Sequence, residues 1–464
     1  MTQKSWFLRM PNKLSVIYKY LHLFIFTISF LIYFFSWLFF YKTGINSLPM
    51  QSEDILPSVF TSISIIKDGT IYVDNYYQMM ISKYPQPDDS SLTPFYLRKI
   101  GENYITAFPL MSSVISLPIT FFYLLFDSSM SWESVYFISH LSGSFIVALS
   151  SALVFYIFYN LLKSSLKKSL LLTFIFSFCT VNLPLISQGL WQHGTVQLFG
   201  LLAVIFYLKN NPFLLYLSVG LGVLSRPTFG LVLVILSIFL LINKRKKIYP
   251  DFDFKYWGLA FVGLIIPVVF FFFYNQVFYQ SLSNQGYASQ LDDSWQGNFP
   301  ESFIGMFLSP SKGILIYSPI LIFSLIGFYY GYKKHELVKI SFWIVLIHCL
   351  VLSKWKHWYG GYGYGYRMVS DVIPFFIFPI WFMLETHFEK IKKIVFGLIL
   401  LSFLIQFSGL IFFDSIWHNA YDTGFKNTSW LWSIENSEAV FNIRRVLVKL
   451  GFLDKACEVC LPEN

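Results

Sequence analysis

Long apolar runs recur along this chain, and short basic clusters separate them. Several runs approach or exceed the roughly 20 apolar residues that cross a bilayer. Of 464 residues, 55% are hydrophobic, 21% aromatic and only 13% charged. A soluble domain with that balance would expose apolar surface everywhere. The strands of a membrane barrel would alternate in hydropathy, and these runs do not. The expected fold class is therefore all-α: a polytopic helical membrane protein with about 11 transmembrane helices.

The net charge of +9 follows from topology. Basic residues gather in short loops, which marks the cytoplasmic side. No basic patch is interleaved with exposed aromatics, so nucleic acid is not an expected partner. Lys4, Arg9, Lys13 and Lys19 precede an apolar run from about Leu21 to Tyr41, read as an uncleaved first span with a cytoplasmic N-terminus. The clusters Lys163 to Lys168, Lys244-Arg245-Lys246-Lys247, Lys333-Lys334 and Lys390 to Lys393 are all placed inside. Even numbers of spans must then separate them: 169–186, 195–208, 213–224 and 227–243, then 257–278, 314–331, 339–353, 372–387 and 394–413. Only one span fits between the first span and Lys163, yet both 107–126 and 134–160 are apolar. The second is longer and ends at the basic cluster. The first, broken by Pro109 and Pro118, is read as a juxtamembrane element. The first outer loop then covers about 42–133 of a membrane domain spanning 1–413, and 414–464 forms an extracytoplasmic tail.

This topology brings the unusual polar features to one side. Glu53 and Asp54 lie there just past the first span, where a carboxylate is costly to desolvate and suited to act as a general base. The stretch 56–66 reads as a short amphipathic helix with Ser52 or Asp54 near its N-terminus, so Asp54 is either a base or a helix cap. Arg226 sits in Ser225-Arg226-Pro227 between two short spans, as a snorkelling arginine or a phosphate clamp. Lys312 lies in Ser309-Pro310-Ser311-Lys312-Gly313, a turn suited to phosphate but without the spacing of a nucleotide loop. Arg367 follows Gly360, Gly361, Gly363 and Gly365, which let a backbone approach a ligand closely. Trp355 and Trp358 fit an aromatic belt, which does not account for those glycines. Arg98, Trp191, His193, Trp358 and Tyr366 complete the expected substrate-lining set. Asp292 and Asp293 read as solvated. Cys179 and Cys349 lie in apolar runs, and a single Cys457-x-x-Cys460 pair specifies neither metal nor redox chemistry. The tail, with Trp417, Trp430, Trp432 and Arg444-Arg445, reads as a surface-lying segment.

The pattern resembles GT-C glycosyltransferases. It is most similar to the branch of protein O-mannosyltransferases and the lipid A aminoarabinose transferase. The stretches carrying the likeness are Glu53-Asp54-Ile55-Leu56-Pro57-Ser58, Phe95-Tyr96-Leu97-Arg98 through Ala107-Phe108-Pro109, and Leu308-Ser309-Pro310-Ser311-Lys312-Gly313. The resemblance covers the chain to about residue 413, as architecture more than as motif. It implies a polyprenyl-phosphate sugar donor, an extracytoplasmic active site in a plasma (inner) membrane, Asp54 as catalytic carboxylate with Glu53 beside it, and Arg226 at the donor phosphate. Phe108-Pro109-Leu110 and Trp191-Gln192-His193-Gly194 depart from the family pattern, so the acceptor is left as a glycan, lipid or protein. On this reading Asp54 takes the acceptor proton, while Arg226, Lys312 and Arg367 stabilise the departing phosphate. No cofactor is required, metal is not demanded, and a divalent cation stays open. The alternatives are a lipid-linked glycan flippase, which would place charges near the midplane and often show repeats, and an O-antigen polymerase or ligase, which would carry a large late loop.

Overall fold

The computed structural model describes residues 20–45, 49–85, 93–245, 254–282, 294–449 and 451–454. Lys4, Arg9, Lys13 and Lys19, Lys246 and Lys247, Asp292 and Asp293, and Cys457 and Cys460 lie outside the described residues.

The first helix, α1, is Leu21–Lys42. After the turn Glu53–Ile55 come α2 (Leu56–Lys67), α3 (Asp74–Lys83), a hairpin of β1 (Leu97–Ile100) and β2 (Asn103–Thr106), and α4 (Met111–Phe126). The next group is α5 (Trp132–Phe155, continued by a π-helical turn to Leu161), α6 (Leu166–Phe178), α7 (Gln192–Leu208), α8 (Pro212–Ser225), α9 (Gly230–Arg245) and α10 (Phe254–Tyr274). The last group is α11 (Glu301–Leu308), α12 (Ile314–Tyr317), α13 (Ile322–Gly331), α14 (Glu336–Leu352), α15 (Ile373–Phe412), α16 (Ile416–Tyr421) and α17 (Glu438–Lys449). The chain is thus mostly helical, as its apolar runs require. Among the described residues, four helices are long and apolar enough to cross a membrane: Leu21–Lys42, Trp132–Leu161, Phe254–Tyr279 and Arg367–Phe412. The hairpin is a local exception to the all-helical expectation. Gly101, at φ +61°, makes its tight turn, because only glycine enters that region without steric cost.

Helices α1 and α5 run antiparallel. Phe26 and Phe30 meet Phe145, Phe34 and Trp37 meet Phe137, and Lys42 reaches Glu133 at 3.4 Å. The excursion between them therefore leaves and rejoins the bundle at one end, called here the loop end. Helix α4 lies within that excursion. Its Ser112 hydroxyl is 3.0 Å from Thr195 in the first turn of α7, and Asp127, just past its last turn, accepts from Ser134 in the first turn of α5 at 3.2 Å. Both first turns belong to the loop end, because Leu190, two residues before α7, donates to Ser139 of α5 at 3.2 Å. Helix α4 thus slants across that end instead of crossing the bundle. Its Met111, Ser112, Ser113, Ser116 and Thr120 are buried, while Phe121, Phe122, Leu125 and Phe126 are exposed.

The described basic segments 163–168, 333–334 and 390–393 gather at the other end. Lys168 and Ser164 both bind Glu385, the former at 2.7 Å, and Tyr207 at the end of α7 binds Glu336 at the start of α14. The segment α15 is assigned helical from Ile373 to Phe412 yet must double back. Ser324 donates to the Phe376 carbonyl, while Ile320, one turn earlier, donates its amide to Ser402. A straight helix would separate residues 376 and 402 by about 39 Å. The reversal falls between these limbs, around exposed Lys390, Lys392 and Lys393. The two runs expected at 372–387 and 394–413 are therefore the antiparallel limbs of one bent helix.

The tail departs from expectation. It is not surface-lying: Trp417 is 2% and Trp430 8% exposed, and both join the main core. Arg445 closes it onto Asp414 at 2.5 Å.

Candidate active site

A cavity of about 810 Å³ opens at the loop end. Segments far apart in sequence form its wall: 50–54, Trp191 to His193, Arg226, Trp355 to His357, Arg367 and Met368, and Asp414, Ser415 and Asn419 from the tail.

Local rules place Asp54. Ser52 takes an extended backbone and its hydroxyl accepts from the Asp54 amide at 3.3 Å, so Ser52 is the cap. Pro57 then stands in the first turn of α2, where its missing donor costs nothing. The Asp54 carboxylate is thereby released from capping. Its Oδ2 accepts from Arg367 Nη1 at 2.6 Å, with the two side chains 26% and 14% exposed. The Arg367 guanidinium also lies 5.1 Å from the centre of the Trp191 ring. Glu53 shares the wall, and burial raises its carboxyl above the usual carboxylate range, with the Asp54 charge adding to the rise.

A second cationic group faces the cavity. Arg226 breaks from the end of α8 in an extended conformation, since Pro227 disfavours helix at the preceding residue. Its Nη1 is 3.4 Å from Asp371 and 2.7 Å and 3.0 Å from the ring nitrogens of His193. His193 Nδ1 lies 2.7 Å from Asp371 Oδ1. The tautomer that satisfies all three groups carries the proton on Nδ1, given to Asp371, and leaves Nε2 to accept from Arg226. Asp371 is 1% exposed, and His348 approaches it at 4.0 Å from α14. Two donors of the wall residues, Trp191 Nε1 and Arg367 Nε, have no partner among the described residues. Buried donors of this kind are costly unless a ligand or water accepts from them. His357 also lines the cavity, and burial, with Lys356 and Arg367 nearby, pushes its imidazole down to about 4.

Of the residues expected at a site, Glu53, Asp54, Trp191, His193, Arg226 and Arg367 share this cavity. Four do not. Lys312 is 1% exposed and points inward: its Nζ donates to the Gly363 carbonyl at 2.6 Å and to Glu438 at 3.3 Å. It is a buried structural cation, not a group open to donor phosphate. Trp358 is packed beneath α11, where a Cβ on Gly305 would fall 2.2 Å from its ring. Tyr366 is buried, its hydroxyl 2.6 Å from Ser318. Arg98 stands on β1 opposite Ile105 and does not reach the wall.

Sequence reasoning placed Asp371 at the end of the outer polar stretch without a role, and passed over His348, His357 and the tail residue Asp414. Asp371 stands in the same short turn as Arg367, but its partners Arg226 and His193 are remote in sequence. Nothing local marked the others. No protein-family model matches this chain, and no curated protein does either.

Proposed function

We propose that this chain is an integral membrane glycosyltransferase of the GT-C kind, moving a sugar from a polyprenyl-phosphate donor to an extracytoplasmic acceptor. In this reading the bundle crosses a plasma (inner) membrane about eleven times, and the shorter apolar helices complete the crossings that the four long ones begin. The loop end faces outward and the Lys-rich end faces the cytoplasm, as the distribution of basic residues favours. Helix α4 rides at the outer surface.

The observation that carries the proposal is the carboxylate of Asp54 held at 2.6 Å by Arg367 in the wall that also presents Arg226. One Asp54 oxygen is engaged by Arg367 and the other is left to accept the acceptor's hydroxyl proton. The hydroxyl oxygen bonds to the anomeric carbon from the side opposite the donor phosphate. The carbon–oxygen bond to that phosphate breaks, and the electron pair leaves with polyprenyl phosphate. Configuration inverts. Arg226 and Arg367 stabilise the charge that develops on the phosphate. A phosphate leaving group already paired with cations needs no general acid, so one carboxylate suffices. The acceptor is a cell-envelope glycan, lipid or protein.

The test is purified Asp54→Asn protein beside wild type, each incubated with cell-envelope acceptor and a panel of radiolabelled polyprenyl-phosphate sugars. Transfer by wild type is expected, with a loss of about 100-fold or more in the folded variant, the scale of a positioned general base. Equal transfer would reduce Asp54 to a structural role. No transfer from any donor, by a protein that still binds polyprenyl phosphates, would shift the reading to a lipid-linked glycan transporter.

A further inference from the structure

Two buried, oppositely charged side chains stand outside the cavity and hold the loop that delivers Arg367. Glu438, 1% exposed, comes from the first turn of α17 in the tail. Its Oε2 accepts from Lys312 Nζ at 3.3 Å, from the Tyr317 hydroxyl at 3.1 Å and from the Gly365 amide at 3.2 Å. Lys312 in turn donates to the Gly363 carbonyl at 2.6 Å, and its Nζ lies 3.0 Å from His418 Nε2 and 5.2 Å from the Trp417 ring. The glycine-rich loop is thus gripped twice within three residues, once through a carbonyl and once through an amide. Both grips come from elements remote in sequence.

The loop has little rigidity of its own. Gly360, Gly361 and Gly365 have φ values of +90°, +56° and +62°. Glycine has the largest conformational freedom to lose, so such a segment stays fixed only where outside contacts over-determine it. The Arg367 stem lies directly on it: a Cβ on Gly363 would meet Arg367 Cδ at 3.1 Å, and one on Gly360 would meet Arg367 Cβ at 3.0 Å.

We infer that Lys312 and Glu438 are positioning residues, a charged clamp by which the C-terminal tail fixes the Gly360–Arg367 loop and so aims Arg367 at Asp54. This rests on the reading of Arg367 as a group that meets the substrate phosphate. The clamp makes the tail a working part of the site, although Lys312 and Glu438 themselves touch no ligand.

The experiment uses the full-length protein with Lys312→Met and Glu438→Gln together, which removes both charges and leaves no buried charge unpaired. Amide exchange across residues 361–367 and affinity for a polyprenyl phosphate in detergent are measured beside wild type and Arg367→Gln. Thermal unfolding checks that each variant is folded. Loop exchange about tenfold or more faster is expected in the double variant, from hydrogen bonds to charged groups that no longer form. Weaker polyprenyl-phosphate binding should accompany it. Arg367→Gln should weaken binding and leave exchange at Gly363 and Gly365 unchanged. Wild-type exchange in the double variant would overturn the clamp. Faster exchange with undiminished binding, where Arg367→Gln does lose affinity, would overturn its link to the site. Undiminished binding in Arg367→Gln would instead overturn the substrate role of Arg367, with exchange still judging the clamp.

Discussion

Asp54 and Glu53 are neighbours with different environments. Asp54 has a cation at 2.6 Å, whereas burial raises the carboxyl of Glu53, which has no ion pair among the described residues. That contrast, and not the sequence order, favours Asp54 as the charged partner. Arg226 differs from Arg367 in a way that matters for testing it. It neutralises a carboxylate that is 1% exposed, so removing it takes away the arginine charge and leaves Asp371 on its His193 hydrogen bond. Arg226→Gln should destabilise the fold by up to roughly 3–5 kcal/mol, the cost of losing the charged partner of a buried carboxylate, softened by the His193 hydrogen bond. Arg226→Gln combined with Asp371→Asn should recover most of that loss in thermal unfolding and still fail to transfer sugar. Recovery of activity in the double variant would show that Arg226 serves only Asp371. The sequence offered two roles for Asp54, base or cap. Both were compatible with its position, because Ser52 and Asp54 stand within one turn of the helix start. Only the cap geometry separates them.

Close approach between elements decides where the cavity wall stands. Gly143 of α5 faces the segment that carries Trp191, and a Cβ there would fall 2.1 Å from the Gly189 carbonyl oxygen. Backbone cannot yield as a side-chain tip can. Gly143→Ala should therefore cost about 1–3 kcal/mol by overpacking. It should also lower transfer activity by displacing Trp191 and His193, and thermal unfolding run beside the transfer assay checks both effects. Neutral activity at reduced stability would uncouple α5 from the site. At this scale the apolar run lengths located the helices well, including 394–413, which the structure joins to 372–387 through a bend. The hairpin at 97–106 was missed because its strands are four residues each, too short for alternation to register. The tail was misjudged because Trp417 and Trp430 carry no period that tells a buried tryptophan from one lying on a surface.

The described residues are arranged asymmetrically: the cavity and acidic pair sit at one end, the basic segments 163–168, 333–334 and 390–393 at the other. The proposed orientation predicts thiol accessibility. In a background with Cys457 and Cys460 changed to Ser, single Glu102→Cys and Glu389→Cys variants put a thiol where side chains are 96% and 78% exposed. Cys179 and Cys349 are buried and should not react. A membrane-impermeant maleimide should label position 102 in intact cells and position 389 only after permeabilisation. Labelling of position 389 in intact cells would reverse the orientation. The sequence by itself determined the helical class, the approximate limits of the apolar segments and the gathering of Asp54, Arg226 and Arg367 toward one end. Each of those follows from hydropathy and charge over stretches of about twenty residues, which is local information. Tertiary structure alone decided which polar side chains meet. Lys312 and Arg226 are both cations beside a turn, yet one is sealed against Glu438, 126 residues away, and the other faces the cavity. A buried charge goes wherever its partner stands, and no local pattern says where a partner so distant along the chain will fold.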